Sequence, residues 1–595
     1  MTITPERTVP ALDRALDSAA RRLLELQTPG GWWVAELESN ATMTAQQVFW
    51  THFLGIRDPE RDRRLANELL ARQRDDGTWA IWFDGPGDLD TTVEAYVALK
   101  LLGVDAGERA RDFIVSRGGI PKTRVFTRCF LALLGQWPWQ RMPPIPVELI
   151  LLRPHAPFSI YDFACWARGT FVPLSVVQAL RPVRRANLDL REIGARPGAT
   201  RPPRLNRVRL RAIAAAERWV RERQEADGSW GGIQPPWVWA ILMLVSLGHG
   251  FEDEQLRRAV EGWRGFMVED GDRLRPEACQ SPVWDTCLAL VALRAAGVPA
   301  DDPQLVAAAE WLVGQEVRVK GDWAVRRPGL DPGGWAFEYE NDVYPDTDDA
   351  AVVSLALREL RMGADAVDRA LRWLAGMQSA SGGWGAFDVD NEAHWLYRIP
   401  FCDFGKVTDE PSVDVTAHAL EILAREPGYE GVVARGLDWL LAEQEADGSW
   451  FGRWGVNHVY GTGAALPALE ACGVPPSHPA VRRAVAWLDS VQNSDGGFGE
   501  DILSYADPAL RGRGPSTPSQ TAWALLAYVA AGEAESDAAT RAAAYLCETQ
   551  LPNGDWEEEH FTGTGFPLDF MIRYHLYRLH FPVLALGRLR ERLSR

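Results

Sequence analysis

The chain has 595 residues, 46% hydrophobic and 24% charged, which excludes a disordered polymer and exceeds one core, so two to four domains are expected. A net charge of −18 argues against a nucleic-acid partner. Seven scattered cysteines without a C-x-x-C pair indicate neither a disulfide framework nor a zinc site and fit a reducing cytoplasm, while 26 tryptophans exceed what ordinary cores need.

The first residues, MTITPERTVPALDRALD, are charged and lack an apolar h-region, so no signal peptide is expected. A repeat then begins: Trp33 lies six residues after Gln27, and Trp79 six after Gln73. EIGARPGATRPPRLNR (192–207) reads as an exposed loop or linker. AAERWVRERQEADGSW (215–230) contains the whole unit, an aromatic five residues before a Gln and another six after it, with Gly between. Gln315 to Trp323 keeps it with two extra residues. RALRWLAGMQSASGGW (369–384), RGLDWLLAEQEADGSW (435–450), RAVAWLDSVQNSDGGF (483–498) and RAAAYLCETQLPNGDW (541–556) restore it. The longest apolar runs, WVWAILMLVSLG (237–248) and FPVLALG (581–587), are too short to span a bilayer, which leaves contact with a membrane surface open.

Each segment before a Gln predicts an amphipathic helix; Val481, Val485, Leu488 and Val491 share one face. The D-G or G-G pair after it is a stop and turn. The Gln amide can bond backbone groups near the start of the following helix, and the Trp ring can cover it. Gln27, Gln73, Gln224, Gln315, Gln378, Gln444, Gln492 and Gln550 are unevenly spaced. An open solenoid would not need such insertions. The expected fold is all-α, with closed rings of paired helices, (α/α) barrels, and a central cavity.

YPDTDDAAVV (344–353) sets Asp346, Asp348 and Asp349 just ahead of an apolar helix. Asp is a favoured helix cap, so capping alone explains part of this. Three clustered carboxyls cannot all ionise cheaply, however, so burial and repulsion keep at least one protonated and available as an acid.

The repeat resembles the QW motif of the class II terpene cyclases, and DTDD resembles their D-x-D-D acid motif. GGWAFEYENDVYPDTDDAAVV, IPFCDFGKVTDEPSVDVTAHALE, GSWFGRWGVNHVYGTGA, STPSQTAWALLAY and FTGTGFPLDF are similar to the squalene–hopene cyclase family, over about residues 20–590. The chain departs from the family pattern at Ala350, usually Thr, at Phe498, usually Trp, and at Gln46, often Glu. The resemblance implies two (α/α) barrels around a large cavity. One joins residues 1–28 to the catalytic 279–595; the other, 29–278, is inserted between them.

It further implies that Asp348 is the proton donor, tuned by Asp346 and Asp349 and partnered by His418 as imidazolium. Asp414, one helical turn earlier, would orient His418, and Tyr505 would hold the water that returns the proton. A migrating carbocation needs aromatic faces that stabilise charge without attacking it. Trp166, Trp284, Phe337, Phe387 and Phe498 correspond to such a lining, as do Phe566, Phe570, Tyr574 and Tyr577, with Ile233 and Ile572 shaping the space. Gln234, Glu94, Arg128 and Gln46 correspond to a polar network that ends the reaction. Phe163, Phe171, Phe401 and Cys402 correspond to a channel constriction. Ordinary packing competes as a reading at each lining position.

The expected function is protonation-initiated cyclisation of squalene to hopene and some hopanol, without metal or redox cofactor, by a homodimer seated on the cytoplasmic face of a membrane with no transmembrane helix. A cyclase for another linear polyprene, or one giving another product, stays open, as does a non-catalytic lipid-binding helical ring. An oxidosqualene cyclase usually reads D-C-T-A at the acid. A diphosphate-ionising synthase and a zinc prenyltransferase subunit lack their metal motifs.

Overall fold

The computed structural model describes residues 5–403 and 405–595, the side chains of 5–10 excepted. Its regular structure has few strands and is mostly helix. In chain order these are α1 (Pro5–Glu25), α2 (Ala41–Leu54), α3 (Pro59–Ala71), α4 (Leu89–Leu102), α5 (Glu108–Ser116), α6 (Val125–Leu133), α7 (Cys165–Leu180), α8 (Arg207–Arg221), α9 (Gln234–Ser246) and α10 (Glu254–Gly262). There follow α11 (Pro282–Ala295), α12 (Pro303–Gly314), α13 (Thr347–Leu360), α14 (Ala364–Gly376), α15 (Val413–Leu423) and α16 (Glu430–Ala442). The last are α17 (His458–Ala471), α18 (Pro479–Val491), α19 (Pro518–Ala530), α20 (Asp537–Thr549) and α21 (Tyr577–Leu593).

Helices α11, α13, α15, α17, α19 and α21 each pack on the next, and α21 returns to α11, so they close an inner ring. α12, α14, α16, α18 and α20 flank it, and α1 packs on α20, α21 and α11. Composition explains the division. Inner helices such as α19 (PSQTAWALLAYVA) are apolar on nearly every face and are buried along their whole length. Outer α18 buries Val481, Val485, Leu488 and Val491, the predicted stripe. Helices α2 to α10 form the second, less regular barrel around their own core.

The repeat glutamines staple the outer layer. Except at Gln315, each Gln amide donates to the Gly carbonyl four residues on and to a carbonyl in or beside another helix: Gln378 to Gly382 and Val432, Gln444 to Gly448 and Ala480, Gln492 to Gly496 and Ala538. Gln550 donates to Ala15 of α1 and so closes the ring. The bond therefore reaches the next outer helix, not the helix that follows in the chain, and its acceptors are carbonyls. The turn glycine is essential: Gly448 has φ +100°, and a Cβ there would meet the Arg483 carbonyl oxygen at 2.6 Å.

Six repeat tryptophans donate their indole N–H to the carbonyl ten residues back, as in Trp33 to Leu23, Trp384 to Leu374 and Trp556 to Leu546. This corrects one pairing. The Trp of the Gln315 unit is Trp335, which donates to Leu312, and not Trp323. The insertion is about twelve residues longer than the spacing suggested, and Trp323 instead packs edge-on against Trp373.

Among the described residues five short strands were not anticipated. β1 (Leu37–Glu38), β5 (Phe570–Tyr574) and β4 (Gly563–Phe566) form one antiparallel sheet; β2 (Met267–Asp270) and β3 (Arg273–Pro276) form a hairpin. Buried Arg168 of α7 ties the barrels together. Its guanidinium bonds Asp322 at 3.0 Å and Asp388 at 2.7 Å, and Arg223 shares Asp322 at 2.6 Å. Breaking such a buried pair leaves an uncompensated charge. Among the described residues no helix is long and apolar enough to cross a membrane.

Candidate active site

A cavity with about 1890 Å³ of empty space, part of it open to solvent, lies between the barrels. Its wall takes residues from α2, α6, α7, α8 and α9 on one side and from α11, α13, α17, α21 and the β4–β5 hairpin on the other.

Asp346, Asp348 and Asp349 enter the wall at the N-terminus of α13. Asp346 is the N-cap, its Oδ1 accepting from the Asp349 N–H at 2.7 Å. Capping is thus real, and the chemistry is added to it. Helix N-termini favour carboxylates by only about 0.3–1 kcal/mol. Burial outweighs that here: it pushes the Asp346 carboxyl up to about 8, against the hydrogen bonds from Asp349. Asp349 is raised well above the ordinary value, by burial first and then by Asp346 beside it. Asp346 Oδ2 and Asp349 Oδ1 have no hydrogen-bond partner. At neutral pH this pair holds protons.

Asp348 is the most exposed of the three; its Oδ1 lies 2.6 Å from Nδ1 of His418 on α15. Burial would depress the His418 imidazole, but the Asp348 carboxyl overrides it and raises it. Asp414 does not hydrogen-bond His418. Its Oδ2 accepts from the Arg453 and Trp454 N–H groups at 3.0 and 2.6 Å, which fixes that loop, and its charge reaches His418 only through space. The Tyr505 hydroxyl lies 2.8 Å from the Gly455 carbonyl and 3.0 Å from that of Gly452, outside the cavity wall.

Of the expected lining residues, Trp166, Ile233, Trp284, Phe337, Phe387 and Phe566 line the cavity, as do Phe570, Ile572, Tyr574 and Tyr577. The Trp284 indole donates to the Tyr577 hydroxyl, and Tyr574 stacks on Tyr577 at 4.2 Å. Trp166 stands edge-on to Phe387 at 5.8 Å. The Phe387 loop is pinned by Asp409, which accepts the N–H groups of Ala386, Phe387 and Asp388, and by Thr347, whose N–H and hydroxyl reach the Ala386 and Gly385 carbonyls.

Phe498 does not line the cavity. It is fully buried, near Tyr528, and holds the repeat position that Trp holds elsewhere. The sequence reading missed Trp454 and Tyr460, which do line it. Trp454 faces Trp166 at 6.0 Å; Trp454 and Tyr460 both lie in GSWFGRWGVNHVYGTGA (448–464), whose aromatic density was the available signal.

The polar set is brought together in part. Gln234 donates to Gln46, Gln46 donates to Glu94, and Thr127 donates to the other Glu94 oxygen at 2.6 Å. Burial pushes Glu94 up to about 8. Arg128 stands apart, facing Asp403 at 3.7 Å. Phe163, Phe171 and Phe401 form one ring cluster, with centroids 5.1–6.3 Å apart, beside buried Cys402 and a separate small pocket.

The family profile described as Squalene-hopene cyclase C-terminal domain matches residues 280–591, and the one described as Squalene-hopene cyclase N-terminal domain matches 16–207 and 199–272. A squalene–hopene cyclase of Alicyclobacillus acidocaldarius is 47% identical, covering 98% of this chain and 99% of that protein. One from Zymomonas mobilis is 40% identical, covering 97% and 95%. A dammaradiene synthase of Dryopteris crassirhizoma is 38% identical, covering 98% and 94%. An ent-copalyl diphosphate synthase structure from Streptomyces platensis shares the fold, with a TM-score of 0.54 and 17% identity over 97% of this chain and 99% of that one.

Proposed function

This chain belongs to the squalene–hopene cyclase family, and on that premise we propose that it converts squalene to hopene by protonating a terminal double bond from Asp348. The observation that carries this reading is Asp348 in the wall of an aromatic cavity, bonded to His418 and adjoined by two carboxyls that stay neutral. An isolated alkene is a weak base, so the donor must be a carboxylic acid kept from water. The neutral Asp346–Asp349 pair supplies the proton inventory. His418, held toward its imidazolium, stabilises the Asp348 carboxylate that remains.

The cation then passes ring faces worth about 0.5–2 kcal/mol each. Trp284, Tyr577, Trp166, Phe387 and Trp454 provide them. At the Gln234–Gln46–Glu94 chain the last cation loses a proton to give hopene or takes water to give hopanol.

The substrate enters from a membrane surface. Leu151, Leu152, Phe158, Leu205, Val208 and Leu210 are exposed. The Glu148–Arg209 ion pair joins the two segments that carry most of them, while Phe158 packs on Trp395 at 4.6 Å. The Phe163–Phe171–Phe401 cluster lies beneath them as the gate, around a pocket that also touches Leu149 and Ile150.

Incubating detergent-solubilised protein with squalene, followed by mass analysis of the hydrocarbons, tests the reading. Hopene should form, and Asp348→Asn should abolish it while the helical circular dichroism is retained. Undiminished hopene from that variant would overturn the assignment.

A further inference from the structure

Each turnover leaves Asp348 without its proton, and the expected returning group, Tyr505, lies outside the cavity wall. A different route is built beside the acid. Trp335 pairs with Asp346 and closes the loop between them at its base. Along that loop Glu340 and Asp342 are exposed, while Glu338 and Asn341 are buried and face the cavity. The wall between cavity and solvent is therefore one loop thick there, with carboxyls on both sides.

Glu338 Oε2 accepts from Asn341 Nδ2 at 2.9 Å, and Asn341 Oδ1 has no protein partner. From the other barrel Glu225, also buried, has an unpartnered Oε1 and feels the charges of Asp342 and Glu338. A carboxyl so enclosed is neutral: burial pushes Glu338 up to about 8 and Glu225 up to about 9. Glu338, Asn341, Asp346, Asp348 and Asp349 line the same cavity, where the charge of Glu338 acts on Asp349 and that of Asp346 acts on Glu338. No role in the cyclisation so far described uses Glu338.

We infer that Glu338 is a relay residue that returns protons from solvent at Glu340 and Asp342 to the acid turn at Asp346–Asp349. The O–H bond of Asp348 breaks as a C–H bond forms on the alkene. The resulting carboxylate takes a proton from the Asp346–Asp349 pair, the pair takes one from Glu338, and Glu338 takes one from solvent water. The C–H bond of the final cation breaks and its proton passes to water, so one proton enters and one leaves per turnover and acid is neither consumed nor accumulated. No oxidant or reductant enters.

This inference rests on Asp348 being the donor, and the test separates the two. Glu338→Gln keeps the size and the Asn341 bond but carries no acidic proton; Glu338→Asp keeps the acid. In rapid-quench experiments with excess squalene, Glu338→Gln should form hopene at the parent rate until the protons stored on Asp348, Asp346 and Asp349 are spent, about one to three per active site, and then turn over at least about tenfold more slowly. Glu338→Asp should recover most of the steady-state rate. Parental steady-state turnover by Glu338→Gln, or equal slowing of its first and later turnovers, would overturn the relay; so would equal steady-state loss in both variants. If Glu338→Gln does not fold, the exposed pair Glu340→Gln and Asp342→Asn takes its place, with the same burst followed by slowed turnover expected and an unchanged profile counting against it. Absence of a first turnover in the parent would instead sink the Asp348 reading.

Discussion

Asp348 Oδ1 and His418 Nδ1 lie 2.6 Å apart, joining the first turn of α13 to the middle of α15 across the wall of the cavity. Neither residue is near the other in the chain, and the bond holds the most exposed of three carboxyls against the one basic ring the site offers among the described residues. His418→Ala should lower hopene formation by roughly 10²–10⁴-fold, the usual weight of a proton-transfer partner. The helical spectrum should persist. Activity within threefold of the parent would remove His418 from the mechanism.

The buried carboxyls set a pH dependence. Asp346, Glu338 and Glu94 each rise to about 8 in the folded chain. Between about 4 and 8 the folded state holds protons that the unfolded chain has released, so stability falls as pH rises, by about 1.4 kcal/mol per unit per group, and levels off above 8. His418, also raised, adds in the same sense: its contribution is full below about 6.5 and is lost as pH climbs through its folded value. Glu38 acts oppositely. Burial would raise it, but His575, Arg72 and Arg573 hold it down to about 2, so its contribution is lost as pH falls from about 4.5 toward 2. The melting temperature should therefore be several degrees higher near pH 6 than near pH 8.5, and Glu94→Gln should flatten that slope. A melting temperature that rises from pH 6 to 8.5 would contradict the neutral carboxyls.

Phe498 leaves the Leu488 carbonyl without the indole N–H that serves the equivalent carbonyl in seven other repeats. Phe498→Trp should stabilise by about 0.5–1.5 kcal/mol, one net hydrogen bond, without changing products. Destabilisation in thermal melts would mean that Tyr528 has filled the space.

Gln550 spans α20 to α1 through its bonds to Gly554 and Ala15. Gln550→Ala should cost about 1–3 kcal/mol and raise amide exchange in α1 first. Uniform exchange across the ring would show that α1 is held by packing alone.

Trp454 faces Trp166 and Phe387. Trp454→Leu removes a ring face worth about 0.5–2 kcal/mol, so kcat should fall by roughly 2- to 30-fold and partly cyclised hydrocarbons should appear beside hopene. An unaltered product profile would place the cation elsewhere.

The order of inner and outer helices was legible because it is local. Apolar periodicity, the Gly stop and the Gln–Trp spacing report how one helix ends, and seven of the units obey that spacing. The Gln315 unit misled because Trp323 stands at a plausible distance, whereas a loop can defer the partner to Trp335 at little entropic cost. Phe498 misled for the converse reason: an aromatic residue at a repeat position reads the same whether it fills a core or a cavity.

Sequence alone determined the all-α class, the repeating helix-turn unit and the identity of the acid turn, since each is written in a short run of residues whose chemistry does not depend on what lies opposite. Tertiary structure decided which groups share a pocket. Asp346 stays neutral, Glu94 meets Gln46 and Asp414 holds the 453–454 loop, because burial and hydrogen bonding there depend on segments tens to hundreds of residues apart that only the closed barrels bring within a few ångströms.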